Sequence, residues 1–219
     1  MNKYYVNDNY RGDGIENQLM PDENMLWQGT PKKSAFVLNR CMHMMPFALI
    51  WLLFDSFFIV AMFSTEDMME GLGAGIIVLI VFFALHLTPV WIWLFEVLTA
   101  GSRWKNTEYA ITDKRVIIRN GLVGFDYQSF YYTELSNPSL HVGVIDRMTG
   151  VGDIIVHEEH YRTSKGKNRV RQTGILDIEE PQRVMALLQQ TMVDVHSDIH
   201  YPNALRPEVN PGYRTEYRR

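Results

Sequence analysis

Four consecutive residues, His157-Glu158-Glu159-His160, are the first in this chain to offer chemistry, because imidazole nitrogens and carboxylate oxygens are metal ligands. A helical zinc-hydrolase motif sets two histidines at i and i+4 with a glutamate beside the first. Here the spacing is i and i+3, at the end of a segment that reads as a strand, where alternate residues face opposite ways. That geometry points away from a metal, and no cofactor is expected. A second group gathers positive charge: Arg162, Lys165, Lys167, Arg169 and Arg171 surround Gly166. Clustered charge reads first as a solvated hairpin tip. Its functional reading is a surface for anionic lipid headgroups, where each basic group near a membrane contributes about 1 kcal/mol, or for an acidic partner. The third group is Asp55 and His86, two polar residues deep inside long apolar runs. An ionisable group there reads as functional by default, and the plainer alternative is a hydrogen-bonded pair that packs helices.

Other signatures are missing. There is no G-x-S-x-G elbow, no Walker A loop and no dinucleotide fingerprint, and SKGK lacks the spaced glycine that a phosphate loop needs. No enzyme is indicated. A formal charge of −4 over 219 residues argues against a strongly basic nucleic-acid binder, and the basic group lacks interleaved aromatics. Cys41 is the single cysteine, so one chain forms neither a disulfide nor a cysteine zinc site.

The apolar runs must position Asp55 and His86. Met44 to Phe63 and Leu72 to Phe95 flank the acidic octet STEDMMEG, Ser64 to Gly71. Each run meets the roughly 20 residues that a helix needs to cross a bilayer core about 30 Å thick. In the first run Asp55 opposes insertion by roughly 2.5 to 3.5 kcal/mol, while eleven Leu, Ile, Phe and Val residues return about 0.3 to 0.6 kcal/mol each. Ile76 to Phe95 carries no charge. The expectation is a two-helix transmembrane hairpin. Lys32, Lys33 and Arg40 precede it, Arg103, Lys105, Lys114 and Arg115 follow it, and the octet has no Lys or Arg, which places both termini in the cytoplasm. Pro89 should kink the second helix and free a carbonyl near Leu85. Trp91, Trp93 and Trp104 read as headgroup anchors, and the glycines of GLGAG, Gly71 to Gly75, as an aid to close packing. The polar start does not resemble a secretory signal.

Beyond Arg103 the hydrophobic period becomes alternating, as in a small antiparallel sheet or barrel. Seven strands are expected: Glu108 to Thr112, Arg115 to Arg119, Leu122 to Tyr127, Ser129 to Leu135, Ser139 to Ile145, Val151 to His157 and Gly174 to Ile178. Asn120-Gly121 suits a two-residue hairpin turn. Phe125, Tyr127, Phe130, Tyr131 and Tyr132 read as core and cross-strand pairs. From Pro181, Val184, Leu187, Leu188, Thr191 and Val195 fall on one helical face that needs a sheet to cover. Residues 1–20 read as a loosely held arm, DENMLWQGTPKKSAF as an extended lead-in, and the proline-rich end as a tail. The domains expected are an arm at 1–43, the hairpin at 44–96, one small domain at 103–195 and a disordered tail at 196–219.

The ordered strings YAITDKRVIIRNGLVG, YYTEL, GVGDIIV and GILDIEEPQRV, with ENMLWQGTP and the two apolar runs upstream, resemble the bacterial membrane-flanked PH-domain family, its YdbS-like group, from about Asp22 to Val195. The resemblance implies an α+β membrane protein: the hairpin, then a PH-like seven-stranded β-barrel capped by a C-terminal helix, on the cytoplasmic side of a bacterial cell membrane. It implies no enzymatic activity. Lipid-binding PH domains often grip phosphoinositides through a long basic loop between strands one and two. Here that connection reads as Asp113-Lys114, too short for such a site. The expected function is a membrane-held interaction module that mediates assembly, as a homo-oligomer or with a second membrane protein, with contact to membrane lipids and none to nucleic acid. The alternative is a subunit of an oligomeric transporter or export system using Asp55 and His86.

Overall fold

The computed structural model describes residues 14–64, 73, 75–135 and 137–200, with side chains of the last helix described to residue 197. The acidic octet beyond Ser64, most of GLGAG, residues 1–13 and the tail from 201 lie outside the described residues. The chain divides into two units, Lys33–Trp104 and the remainder.

Among the described residues the first unit has three helices, α1 (Lys33–Phe63), α2 (Gly75–His86) and α3 (Thr88–Lys105). Of these, α1 alone is long and apolar enough to cross a membrane. The pair α2 and α3 meets that test only when taken together across a 54° bend. The second run is therefore a helix broken just before Pro89, where a kink was expected, and the two-helix hairpin is not established. Pro89 has no N–H to give the Leu85 carbonyl. The Thr88 hydroxyl donates to that carbonyl instead, and Trp51 Nε1 donates to the His86 carbonyl at 2.7 Å. Side chains thus replace the backbone bonds that the break removes.

The second unit is α+β. Strands β1 (Met25–Gly29), β2 (Glu108–Thr112), β3 (Arg115–Asn120) and β4 (Asp126–Tyr131) form one antiparallel sheet in that order. Strands β5 (Ser139–His141), β6 (Val151–Arg162) and β7 (Asn168–Glu179) form another, with a short helix, α4 (Val144–Thr149), before β6 and α5 (Pro181–His200) after β7. The two sheets are separate, so the single closed barrel is corrected to two antiparallel sheets. The lead-in segment is itself the first strand, because Trp27 to Gly29 pair with Tyr109 to Ile111. The connection between strands one and two is therefore the whole apolar unit, and Asp113-Lys114 joins strands two and three. The phosphoinositide argument drawn from a two-residue connection does not apply.

Three other expectations change for local reasons. Asn120-Gly121 does not make a two-residue turn, since Asn120 pairs with Asp126 and residues 121–125 intervene. A side chain at Gly121 would collide with the Gly124 carbonyl, and the Asn106 amide donates to the Leu122 and Gly124 carbonyls, so the loop folds on itself. The strand expected at Ser129 to Leu135 ends at Tyr131, where a turn closed by Glu134 N–H on the Tyr131 carbonyl sends Tyr132 and Leu135 inward. After His141 the chain starts α4, because the Asp146 carboxylate accepts the Gly143 N–H at 2.8 Å.

Alternation accounts for the core. Tyr109, Ile111, Val116 and Ile118 on the first sheet meet Ile154, Val156, Ile175 and Ile178 on the second, and Val184, Leu188 and Val195 of α5 cover them. The helical face read from the sequence faces this core, with Thr191 buried as well. On the outer face of the first sheet, Ala110 and Ile117 are covered by Ile15 from a 3-10 turn, Ile15–Gln18. Residues 14–20 thus pack on the sheet, unlike the loose arm expected for 1–20.

Candidate functional site

The β6–β7 hairpin outgrows its sheet. β5 covers β6 only opposite Asp153 to Ile155, whereas β6 and β7 stay paired out to Arg162 and Asn168. The distal half is a two-stranded ribbon, exposed from Glu158 onward on β6. Opposed residues share a face. His157, Glu159 and Tyr161 therefore lie with Thr173, Arg171 and Arg169 on one side, and Glu158, His160 and Arg162 with Gln172, Val170 and Asn168 on the other. His157 and His160 point to opposite faces, and no cluster of three metal-ligating side chains occurs among the described residues.

The first face closes a cleft of about 430 Å³ against Gln128, Ser129 and Phe130 of β4, the last strand of its sheet. His157 stacks on Phe130 with ring centroids 5.1 Å apart, and its Nδ1 is buried with no hydrogen-bond partner among the described residues. Lys165 and Lys167 lie in the tip turn, which Thr163 N–H closes on the Lys167 carbonyl at 2.9 Å. Arg162 Nε donates to the Gly166 carbonyl, while the side chains of Lys165, Lys167, Arg169 and Arg171 have no partner among the described residues. The structure thus brings Arg169 and Arg171 to the cleft face and leaves Arg162 on the reverse.

In the apolar unit the structure brings Asp55 and His86 together. His86 Nδ1 lies 2.8 Å from Asp55 Oδ1, and Asp55 Oδ2 is buried with no partner among the described residues. Trp51 and Phe82 flank the imidazole, with ring centroids 5.1 and 5.3 Å away. Trp91 and Trp93 donate to the carbonyls of Ala84 and Cys41 at 2.9 Å each, so their indoles pin helix backbones.

A third polar centre had no signal in the sequence. Glu23 receives Arg115 Nε on Oε1 and Nη2 on Oε2, both at 2.9 Å, with Thr112 Oγ1 and the Met20 N–H each 2.8 Å from the carboxylate. Arg115 also donates to the Gln18 carbonyl at 2.6 Å and to Ser129 Oγ at 3.1 Å. Burial alone would raise the Glu23 pKa, but these hydrogen bonds outweigh it and hold the carboxyl below its usual range. The bonds to Glu23 raise Arg115. Asp153 goes the other way: burial raises it, against the lowering effect of the Asp177 N–H at 2.7 Å.

Two separate sheets followed by a closing helix are the PH-like arrangement, and residues 54–192 match the family of the bacterial PH domain. The chain belongs to that family. No curated protein and no solved structure matches it. In this bacterial PH-domain protein the first strand is contributed from upstream of the family match, and the apolar unit is spliced between strands one and two. PH domains are generally non-catalytic interaction modules. The cleft is lined by Arg171, by the His157 ring whose Nδ1 has no partner among the described residues, by hydroxyls on Ser129 and Thr173, and by the Glu159 carboxylate, at the edge of β4.

Proposed function

We propose that the chain is a non-enzymatic module held in the bacterial cell membrane by Lys33–Trp104, with both termini cytoplasmic, whose PH-like unit assembles proteins at the inner face. Exposed Ile50, Leu53, Phe57 and Val60 on α1 and Val78 and Leu85 on α2 support a lipid environment for the apolar unit. The observation that carries the interaction role is the ribbon, which projects beyond its sheet with four cations that have no partner among the described residues. An acidic segment of a partner, either a second membrane protein or another copy, lies along the β4 edge and the cleft face, meeting Arg169, Arg171 and His157. From Val151 to Arg162 β6 runs about 35 Å at roughly 3.3 Å per residue, which carries the tip charges away from the end of the ribbon near Lys32.

Affinity purification from crosslinked membranes in mild detergent tests this. The native chain should retain a defined partner that is lost when Lys165, Lys167, Arg169 and Arg171 are changed to Ser. Folding should be unaffected, since exposed substitutions shift stability by about 0.5 kcal/mol or less. An unchanged assembly overturns the ribbon's role.

One observation favours a second reading, a subunit of a transporter or export system: the unpartnered Asp55 Oδ2 beside His86 at a helix break. Asp55→Asn separates the two, because assembly survives it under the first reading and transport fails under the second.

A further inference from the structure

The chain leaves the PH-like unit after Lys32 and returns to it at Lys105. Both crossings are tied down within the PH-like unit. Lys32 Nζ donates to the Thr149 carbonyl at 2.9 Å and meets Glu179 at the same distance, while its N–H donates to the Asp177 carbonyl at 2.8 Å. Lys32 is thereby fixed to the last turn of α4 and the end of β7. At the other crossing, Asn106 Nδ2 donates to the Leu122 and Gly124 carbonyls at 3.2 and 3.3 Å, which fixes it to the β3–β4 loop.

These two anchoring elements carry the most exposed large apolar side chains among the described residues. Val123, between the two carbonyls held by Asn106, is 98% exposed. Val144 and Met148 on α4 are 79% and 81% exposed, and their i, i+4 spacing puts them on one helical face. The next in this unit, Val193, is 55% exposed. A solvated domain does not gain by presenting such side chains to water at both its chain crossings. A bilayer supplies the missing apolar medium, and the crossings lead there by covalent connection: Lys32 precedes the first residue of α1 and Asn106 follows the last of α3. Arg147, exposed, stands beside Met148 in sequence, as a cation does where a surface enters headgroups.

We infer that Val123 with its loop and the Val144/Met148 face of α4 form a bilayer-contacting rim, inserted at the headgroup–acyl boundary. The inference rests on the reading of Lys33–Trp104 as the membrane unit. It gives α4 and the β3–β4 loop the lipid contact and leaves the basic ribbon to a protein partner.

The test uses the full chain in vesicles of phosphatidylethanolamine and phosphatidylglycerol at about three to one. In a Cys41→Ser background, single cysteines replace Val123, Val144, Met148, Lys165 and Phe57, and each carries an environment-sensitive fluorophore. The rim positions should show emission shifted to shorter wavelength and quenching by lipid-borne nitroxide, with weak quenching by aqueous iodide. Lys165→Cys should remain aqueous and Phe57→Cys should report lipid. If Phe57→Cys reports lipid while the rim positions match Lys165→Cys, the rim inference is overturned and the membrane reading stands. An aqueous Phe57→Cys overturns both. Rim labels shielded from iodide yet unquenched by lipid nitroxide identify a protein cover and also overturn the inference.

Discussion

Glu23 and Asp55 are both carboxylates withdrawn from solvent, each beside a basic side chain distant in sequence, yet their surroundings differ in completeness. Both Glu23 oxygens are occupied, by a bidentate arginine, a hydroxyl and a backbone N–H. Asp55 has one oxygen at hydrogen-bond distance from His86 and the other without a partner among the described residues. A saturated buried pair fixes geometry, since removing either member strands the other charge. An unsaturated one retains capacity for a further donor. Glu23–Arg115 therefore reads as the staple that holds residues 14–29 to the first sheet, and Asp55–His86 as the centre with chemistry in reserve.

The contrast is broken most strongly at Glu23. Glu23→Ala leaves Arg115 buried without its counterion and should destabilise the PH-like unit by about 3–5 kcal/mol, read from denaturant melts of the full chain in detergent. A loss below about 1 kcal/mol would mean that Arg115 finds water and that the staple is not closed. Thr112→Val removes a hydroxyl that contacts Glu23 and accepts the N–H groups of Lys114 and Arg115, and should lose about 1–3 kcal/mol in the same assay. Asp55→Asn should lower the thermal stability of the apolar unit by only about 1 kcal/mol, the scale of hydrogen bonds between membrane helices. A collapse comparable to Glu23→Ala would make Asp55 a staple too.

Titration sharpens the comparison through its sign. The folded pKa of Glu23 is depressed, so its contribution is present above the unfolded pKa and disappears as pH falls through the folded value. Asp153 has a raised folded pKa, so its contribution is present below the unfolded pKa and disappears as pH rises through the folded value. Asp153→Asn keeps an oxygen for the Asp177 N–H and removes the buried charge, and should raise stability at neutral pH by about 0.5 kcal/mol. A melting-temperature profile between pH 3 and 7 should fall less steeply on its acid side in Glu23→Gln, by the component Glu23 contributes, and in Asp153→Asn should lose the component that declines as pH rises. Parallel profiles for native and variant chains would refute both assignments.

Legibility followed burial. The β6–β7 hairpin shows it within a single element: Val151 to Val156 and Gly174 to Ile178 alternate because one face meets the core, and both read as strand. Arg162 to Arg171 read as a charged connection, although most of it is ribbon, because a strand exposed on both faces has no hydrophobic period to display. β1 was hidden for another reason. Met25 to Gly29 is short and its partner strand lies some 80 residues away, beyond the entire apolar unit. The two strands expected at Leu122 to Tyr127 and Ser129 to Leu135 are one strand, Asp126–Tyr131, bounded where Asn106 takes loop carbonyls and where a turn follows Tyr131, neither of which leaves a local mark. The Asp55–His86 approach could be anticipated from depth alone, whereas Glu23 gave no sign, because its role depends on an arginine 92 residues on.

By itself the sequence determined what local composition and period can encode: two apolar runs, the proline break in the second, the closing helix from Pro181, the strands whose faces alternate, and the family. Those properties act between near neighbours in the chain, where spacing is geometry. Only the tertiary structure decided that the first strand precedes the apolar unit, that two separate sheets stand where one closed barrel was expected, that the basic segment is the end of a ribbon beside a cleft, and that the exposed apolar groups gather at the chain crossings. Each of those outcomes depends on which distant partner satisfies a backbone bond, a buried charge or an apolar face, and that choice is made only when the chain folds back on itself.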